Sequence, residues 1–369
     1  MSTICVKYRV LPTKAQETAL NRTLEICREV YNSLVNERTA VYETHKETLS
    51  LYDQQAAMGK WKTAHPELSE VHSQVLQNVA VRVDLAFKAF FRRVKAGETP
   101  GYPRRKGAGV YDSITFPQAG KTGCKLAGDT LRVSKIGLVK CIVHRPLPGN
   151  VKTCTIRRQA GKWFACFTCE YEPEPLPLSE EAVGIDVGLN QFAALSDGTF
   201  VTNPRFFRRD EQALAKAQRK LSKQGKGTPK RRKARKVVSR IHERIRNRRH
   251  DFVHQFARRL VNRYALIAVE KLNVKGMVQN HCLAKSISDA SWSLLRGVLS
   301  QKAESAARTI AEINPSYTSQ TCSECGHVAK KTLKERWHHC PICGLSLDRD
   351  TNAAFNILKT AVGQHSVAG

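Results

Sequence analysis

Acidic residues are scarce in this chain of 369. It carries 32 Asp and Glu against 61 Lys and Arg, a formal charge of +29. An excess of that size does not build a fold; it attracts a polyanion, and nucleic acid is the first candidate. A long hydrophobic run is missing too. The stretch "ALIAV" (265–269) is far too short to span a bilayer. There is no basic amphipathic helix with a broad apolar face that would lie on an acidic membrane. The opening "MSTICVKYRV" has neither the apolar h-region nor the cleavage site of a secretory signal. A secreted disulfide scaffold would be smaller and would carry such a signal. The twelve cysteines are therefore read as belonging to a reducing, intracellular protein without a membrane partner. Internal repeats and low-complexity tails are absent. The length suffices for two or three domains with a sizeable core.

The periodicities predict an α/β multidomain protein. "ICVKYRVL" alternates like a strand. A Thr-x-x-Gln capping pattern at Thr13 and Gln16 opens a helix with its stripe at Leu20, Leu24, Cys27, Val30, Tyr31 and Leu34. A second helix is expected through "LSEVHSQVLQNVAVRVDLAFKAFFRRVKAG", with Leu76, Val79, Val83, Ala86, Phe87 and Phe90 on one face, ended by "ETPGYPRRKG". Residues 110–175 read as several short strands forming a small barrel. "EPEPLPLSEE" (172–181) is a Pro- and Glu-rich linker and the expected domain boundary. Beyond it, "AVGIDVG" is a buried strand, "FAALSDGTFV" a hairpin with an Asp-Gly turn, and "ALIAVEKLNV" another buried strand. Residues 204–249 hold 19 Lys and Arg and 3 Asp and Glu, in part helical, with a break at "KGTPKRRK". "SISDASWSLLRGVLSQKAESAAR" (286–308) is expected to be one helix.

Three acids stand isolated at apolar strands or a helix start: Asp186 in "GIDVG", Glu270 in "AVEKL" and Asp350 in "DRDTNAA". A carboxylate in a hydrophobic strand is costly unless a cation offsets it. Three of them could converge on a pair of Mg2+ ions, which take hard oxygen ligands. Two such ions suit in-line attack of water on a phosphodiester. Each acid could also cap or pair locally. Asp348 is two residues from Asp350, and spacing alone does not choose between them.

The most specific local signal is cysteine spacing. Cys322-x2-Cys325 and Cys340-x2-Cys343 are separated by fourteen residues, close to a zinc ribbon. Gly326 and Gly344 follow the second cysteine of each pair, where a knuckle needs an open backbone. Four protein ligands make such a zinc structural. His338 and His339 beside Cys340 are alternative ligands, and a redox C-x-x-C is the alternative chemistry. Cys166 and Cys169, in the aromatic run "KWFACFTCEYE", read as core thiols.

At these residues the sequence resembles a known family. "GIDVGLNQFAALSDG", "ALIAVEKLNVKGM", "LAKSISDASWSLL", "NPSYTSQTCSECGH" and "CGLSLDRDTNAAFNIL" are similar to the serial motifs of the TnpB (OrfB) proteins of insertion sequences, relatives of miniature type V CRISPR effectors. The likeness runs on more loosely through the N-terminal half. It implies a wedge domain with a β-barrel-like fold (1–12 and 100–175) interrupted by a helical recognition domain (13–99). It further implies a RuvC-like RNase H fold (180–318 and 344–369) with an inserted zinc ribbon (319–343). The resemblance would make Asp186, Glu270 and Asp350 the catalytic carboxylates holding two Mg2+ ions. It prefers Asp350 to Asp348, with Asn352 in support.

The activity implied is cleavage of double-stranded target DNA beside a short adjacent motif, programmed by a transposon-encoded guide RNA in a prokaryotic, nucleoid-associated setting. Arg231, Arg232, Lys233, Arg235, Lys236, Arg240, Arg244 and Arg248 would line a channel for the heteroduplex backbone. Gln74 and Gln77, facing away from the apolar stripe, would read adenine in the adjacent motif. A transposase-type DNA strand transferase is the alternative, because water and a 3′-hydroxyl are interchangeable nucleophiles at such a site. A nuclease-idle, RNA-guided repressor is another, and the presence of all three acids counts against it.

Overall fold

The computed structural model describes residues 1–120, 122–332 and 335–366. The chain divides into two compact units between Glu172 and Pro173, inside the expected linker. No helix among the described residues is long and apolar enough to cross a membrane.

The first unit begins with β1 (Ser2–Leu11), followed by the helices α1 (Lys14–His45), α2 (Leu51–Ala64) and α3 (Ser73–Lys95). Six strands complete it: β2 (Ser113–Phe116), β3 (Cys124–Ala127), β4 (Thr130–Val133), β5 (Gly137–Ile142), β6 (Asn150–Gln159) and β7 (Lys162–Tyr171). They form one antiparallel sheet in the order β2-β6-β7-β1-β5-β4-β3. The edge strands β2 and β3 are consecutive in the chain, so a short connection runs from one edge to the other. On that connection Ala119 N donates to Lys152 O of β6 at 3.1 Å and Gly120 N to Cys124 O of β3 at 2.8 Å, so both edges are tied to it and the sheet is nearly closed as a barrel. Strand alternation explains the interior: Trp163, Ala165, Phe167 and Cys169 of β7 are buried, as are Val6, Tyr8 and Val10 of β1. Cys169 is thus a core thiol, whereas Cys166, on the opposite face of the strand, is half-buried.

The capping box at Thr13 and Gln16 forms as expected. The stripe of α1 and, from α3, Leu76, Val79, Val83 and Phe87 join the barrel residues in one hydrophobic core, whereas Ala86 and Phe90 are only partly buried. Two local expectations are corrected. The second helix starts at Ser73, behind a short 3-10 turn at Pro66–Glu70. Helix α2 lies outside the expected elements: only Gln54 and Met58 of its residues are buried, so no apolar stripe announces it, and its signal is the Ser50–Asp53 capping box.

The second unit holds β8 (Ala182–Val187), β9 (Gln191–Leu195), β10 (Phe200–Thr202), α4 (Phe206–Ser222), α5 (Pro229–Arg263) and β11 (Leu266–Glu270). After these come α6 (Val274–Met277), α7 (Ala284–Ala290), α8 (Trp292–Ser305), β12 (Thr309–Ile313), β13 (Trp337–His339), β14 (Ser346–Asp348) and α9 (Arg349–Ser366). Five strands make a mixed sheet, β10-β9-β8-β11-β12, with β8, β11 and β12 parallel. The Asp-Gly hairpin forms as expected, with Gly198 at φ 83°. The expected single helix over 286–308 is in fact two, α7 and α8, broken at Ser291 with φ 59°. The break leaves the Asp289 carboxylate accepting from the amides of Phe207 and Arg208 at the start of α4, while Trp292 is buried in the core.

The sheet divides its residues between two faces. Val183, Ile185, Ile267 and Val269 bury against α5 and α8. The alternate positions face α9: Ala268 packs with Ile357 and Ala361. At Gly184 the helix backbone comes so close that any side chain would overlap the Ala354 carbonyl oxygen.

Candidate functional site

The period of two along a strand puts Asp186 on the same face as Gly184, and Glu270 on the same face as Ala268. Both acids therefore point to the side covered by α9. The parallel register pairs Val269 with Ile185, so Glu270 and Asp186 are the next residues on adjacent strands. Asp350 lies in the first turn of α9, and its Oδ2 lies 4.0 Å from where a Cβ on Gly188 would sit. The structure thus brings together the three acids read from sequence, from positions 186, 270 and 350. Asp348 is engaged elsewhere. Its Oδ1 accepts from the backbone amides of Asp350 at 2.8 Å and Thr351 at 3.2 Å, capping α9.

The three carboxylates are poorly compensated. Burial pushes Asp186 well above the ordinary carboxylate range, the charges of Glu270 and Asp350 push further, and Arg349 opposes them. Burial also raises Glu270, against a hydrogen bond from Thr318. Asp350 is raised by burial and by Asp348, and lowered by Arg349 and Arg336. These two arginines stand 3.7 Å and 4.0 Å from it. Partly buried hard oxygen donors of like charge suit divalent cations of the oxygen-seeking kind, although among the described residues only Cys322, Cys325, Cys340 and Cys343 are grouped closely enough to hold an ion as they stand.

The cysteine module is compact. The sulfurs of Cys322 and Cys343 are 3.6 Å apart, those of Cys325 and Cys340 3.5 Å, and one sulfur from each of the four lies within 4.8 Å of all the others. A tetrahedral zinc with bonds of about 2.3 Å requires sulfurs roughly 3.8 Å apart, whereas a disulfide requires about 2.05 Å. The donor set fits zinc. The two knuckles repeat one design. Gly326 N donates to Cys322 O and Gly344 N to Cys340 O, each at 3.0 Å, with φ 77° and 75° at the glycines. Backbone amides of Cys343 and Ile342 lower the Cys340 thiol, while the neighbouring sulfurs raise Cys343, as expected where close thiols share protons that a bound metal would displace. His338 and His339 are not members of the cluster.

Module and acids are joined by Asn352, Asn356 and Thr318. Asn352, fully buried, donates from Nδ2 to Thr321 O at 2.7 Å and accepts at Oδ1 from Ser323 N at 2.9 Å. These bonds run to the ribbon rather than to Asp350. Asn356 donates to the carbonyls of Thr318 at 2.8 Å and Thr321 at 2.7 Å. Thr318 Oγ1 donates to Glu270 Oε1 at 2.6 Å.

The basic residues fall into two groups. Arg231 donates to the carbonyls of Leu221 and Gln224, closing the α4–α5 turn. Arg244 and Arg248 pair with Asp210 across the same hairpin. Arg232, Lys233, Arg235, Lys236 and Arg240 are spread along α5, and all five are exposed. In the first unit, Gln74 Nε2 donates to Gln118 Oε1 at 2.9 Å, and Gln77 is exposed.

Three family descriptions match this chain: "Probable transposase" (OrfB_IS605) over residues 166–281, "Cas12f1-like, TNB domain" over 292–357, and "Helix-turn-helix domain" over 1–47. The second spans the four cysteines and Asp350; the third coincides here with β1 and α1. The chain is 36% identical to a Streptomyces pristinaespiralis protein named "Putative RNA-guided DNA endonuclease", over 95% of this chain and 88% of the relative. It is 30% identical to the Escherichia coli (strain K12) protein "Putative RNA-guided DNA endonuclease InsQ", over 95% and 90%. The chain belongs to the OrfB_IS605 family, the TnpB-like proteins. The fold is similar to that in "Structure of the mini-RNA-guided endonuclease CRISPR-Cas_phi3", with a TM-score of 0.51 at 9% identity over 98% of this chain and 92% of that one.

Proposed function

We propose that this protein is an RNA-guided DNA endonuclease of the transposon-encoded kind, cutting target DNA beside a short adjacent motif at a RuvC-like site. The observation that carries the reading is the convergence of Asp186, Glu270 and Asp350 on one face of the sheet, from two adjacent strands and one helix. The names of its relatives supply the RNA guidance and the DNA substrate. Asp186, Glu270 and Asp350 would hold two Mg2+ ions. When bound, such ions ease deprotonation of the attacking water and neutralise the leaving oxygen.

The chain's own residues do the rest. Thr318 holds one oxygen of Glu270, and the Asp348 cap fixes the turn that carries Asp350. The exposed cations of α5 bind phosphates irrespective of sequence, and Gln77 is the freer of the two glutamines that would read the adjacent motif. Cys322, Cys325, Cys340 and Cys343 would hold one structural zinc. The domains of this reading are a wedge (1–12 and 100–175), a helical recognition domain (13–99), a nuclease domain (180–318 and 344–369) and a ribbon (319–343).

The test starts from protein expressed with its native flanking DNA and purified without nuclease. Sequencing of the bound nucleic acid should return a discrete RNA, which then programs cleavage of a matching target. Asp186→Ala should abolish cutting and leave RNA and DNA binding intact. Strand transfer has one point in its favour, the family description "Probable transposase". RNA-free protein that joins donor ends to target DNA would establish it and overturn the endonuclease reading.

A further inference from the structure

Glu270 sits at the end of β11, where the sheet fixes its backbone but not its carboxylate. Three side-chain torsions separate the two, and the terminal one is broad and two-fold. A carboxylate meant to receive a cation needs one oxygen held and the other presented. Thr318 Oγ1 donates to Glu270 Oε1 at 2.6 Å, the short range expected of a hydroxyl bonded to a carboxylate. The same hydroxyl is 3.1 Å from Pro315 O. With a single proton to give, it serves the shorter bond. Glu270 Oε2 accepts no hydrogen bond among the described residues.

Thr318 is itself buried and firmly placed. Its carbonyl accepts from Asn356 Nδ2 at 2.8 Å. Asn352 and Asn356 both donate to Thr321 O, each at 2.7 Å, and Asn352 also holds the amide of Ser323. Ser323 lies between two of the clustered cysteines, Cys322 and Cys325. One continuous set of hydrogen bonds therefore runs from the first cysteine knuckle, through the helix that carries Asp350, to Glu270.

We propose that Thr318 is a positioning residue: its hydroxyl fixes the Glu270 carboxylate with Oε2 presented to the cation and ties that carboxylate to the four-cysteine module. This rests on the reading of the three acids as a divalent-cation site. Outer hydrogen-bond partners of metal ligands are worth about 10- to 100-fold in metal affinity, and a loss of that size is expected here.

The probe is Mn2+, titrated into the zinc-loaded full-length protein and followed by the electron paramagnetic resonance of the free ion. Thr318→Val keeps the branched shape and removes the hydroxyl; Thr318→Ser keeps the hydroxyl and removes the methyl. Thr318→Val should bind Mn2+ about 10- to 100-fold more weakly, with zinc content unchanged, and Thr318→Ser should stay close to wild type. Wild-type affinity in Thr318→Val, with affinity lost in Glu270→Gln, would overturn the proposal and leave the cation site standing. Equal losses in the Val and Ser variants would also overturn it, since packing rather than the hydroxyl would be at work. Wild-type affinity in Glu270→Gln would instead sink the cation-site reading, and the proposal with it.

Discussion

Gly184→Ala is a one-carbon change that the structure predicts to be expensive. The added Cβ would overlap the Ala354 carbonyl oxygen and lie 2.8 Å from Leu358 N and 2.9 Å from Leu358 Cβ. Comfortable carbon contacts begin at about 3.5 Å, and every crowded atom but one is helix backbone, which cannot rotate aside. Helix α9 must therefore move out by something on the order of 1 Å. Overpacking of this kind costs about 1–3 kcal/mol. In a unit of this size each kcal/mol is worth about 2–4 °C in Tm, so calorimetry should show a fall of about 2–12 °C. Asp350 rides on the same helix, and a displacement of about 1 Å at a reacting group can cost about 100-fold in rate. Single-turnover cleavage by the guide-loaded complex should fall by that order.

The sign makes the test decisive. Where a glycine has no packing role, alanine stabilises by about 0.4–1 kcal/mol through the unfolded chain. Gly59 in α2, with nothing within 4 Å of an added Cβ, is the control, and Gly59→Ala should raise Tm. Gly184→Ala with a Tm at or above wild type and an unchanged cleavage rate would refute the argument that α9 seats Asp350 through this contact.

Other expectations concern the metal sites and the basic helix. Cys322→Ala should bind no zinc at sub-stoichiometric supply and should lower Tm; full zinc occupancy by elemental analysis would refute the four-sulfur site. In zinc-loaded protein free of other divalent ions, Asp186→Asn should be more stable than wild type. The folded protein raises the pKa of Asp186, so wild type loses stability as pH climbs from the ordinary carboxylate range through that raised value. The Tm gap between variant and wild type should therefore widen with pH over that window, and a gap independent of pH would contradict the burial argument. Arg240→Ala should flatten the salt dependence of nucleic-acid binding by about 0.9 in log–log slope for each duplex phosphate that the side chain neutralises. Arg231→Ala, whose guanidinium is spent on the carbonyls of Leu221 and Gln224, should lower Tm instead. The reverse pattern would exchange their roles.

Much of the nuclease-like unit is legible in the sequence because its signals are local. The apolar run around Asp186 announces a buried strand, the Asp-Gly pair announces the hairpin at Gly198, and the cysteine spacing announces two knuckles that close on each other. What escapes depends on contacts between distant residues. Helix α2 buries too little of one face to show a stripe. The break at Ser291 sets Asp289 against the start of α4, 82 residues earlier in the chain. Thr318 looks like any loop threonine until Glu270 is placed beside it. Spacing also does not tell that Asp348 caps the helix while Asp350 rides in its first turn. The basic segment is legible as charge alone. Which of its arginines tie the hairpin and which face solvent is decided by carbonyls and by Asp210, and composition does not reveal them.

The seating of α9 on β8 also bears on how the protein is made. Asp350 follows Asp186 by 164 residues, and at about 5–20 residues per second it leaves the ribosome roughly ten to thirty seconds later. During that interval the strand carrying Asp186 can pair with its neighbours, but the face over Gly184 has no helix to cover it and the third carboxylate does not yet exist. The emerging chain is thus a cationic polypeptide able to touch nucleic acid before it can complete a carboxylate triad. Arrival of α9 covers that face and brings in the third acid together, so a chain that stops short of α9 lacks both the cover and Asp350.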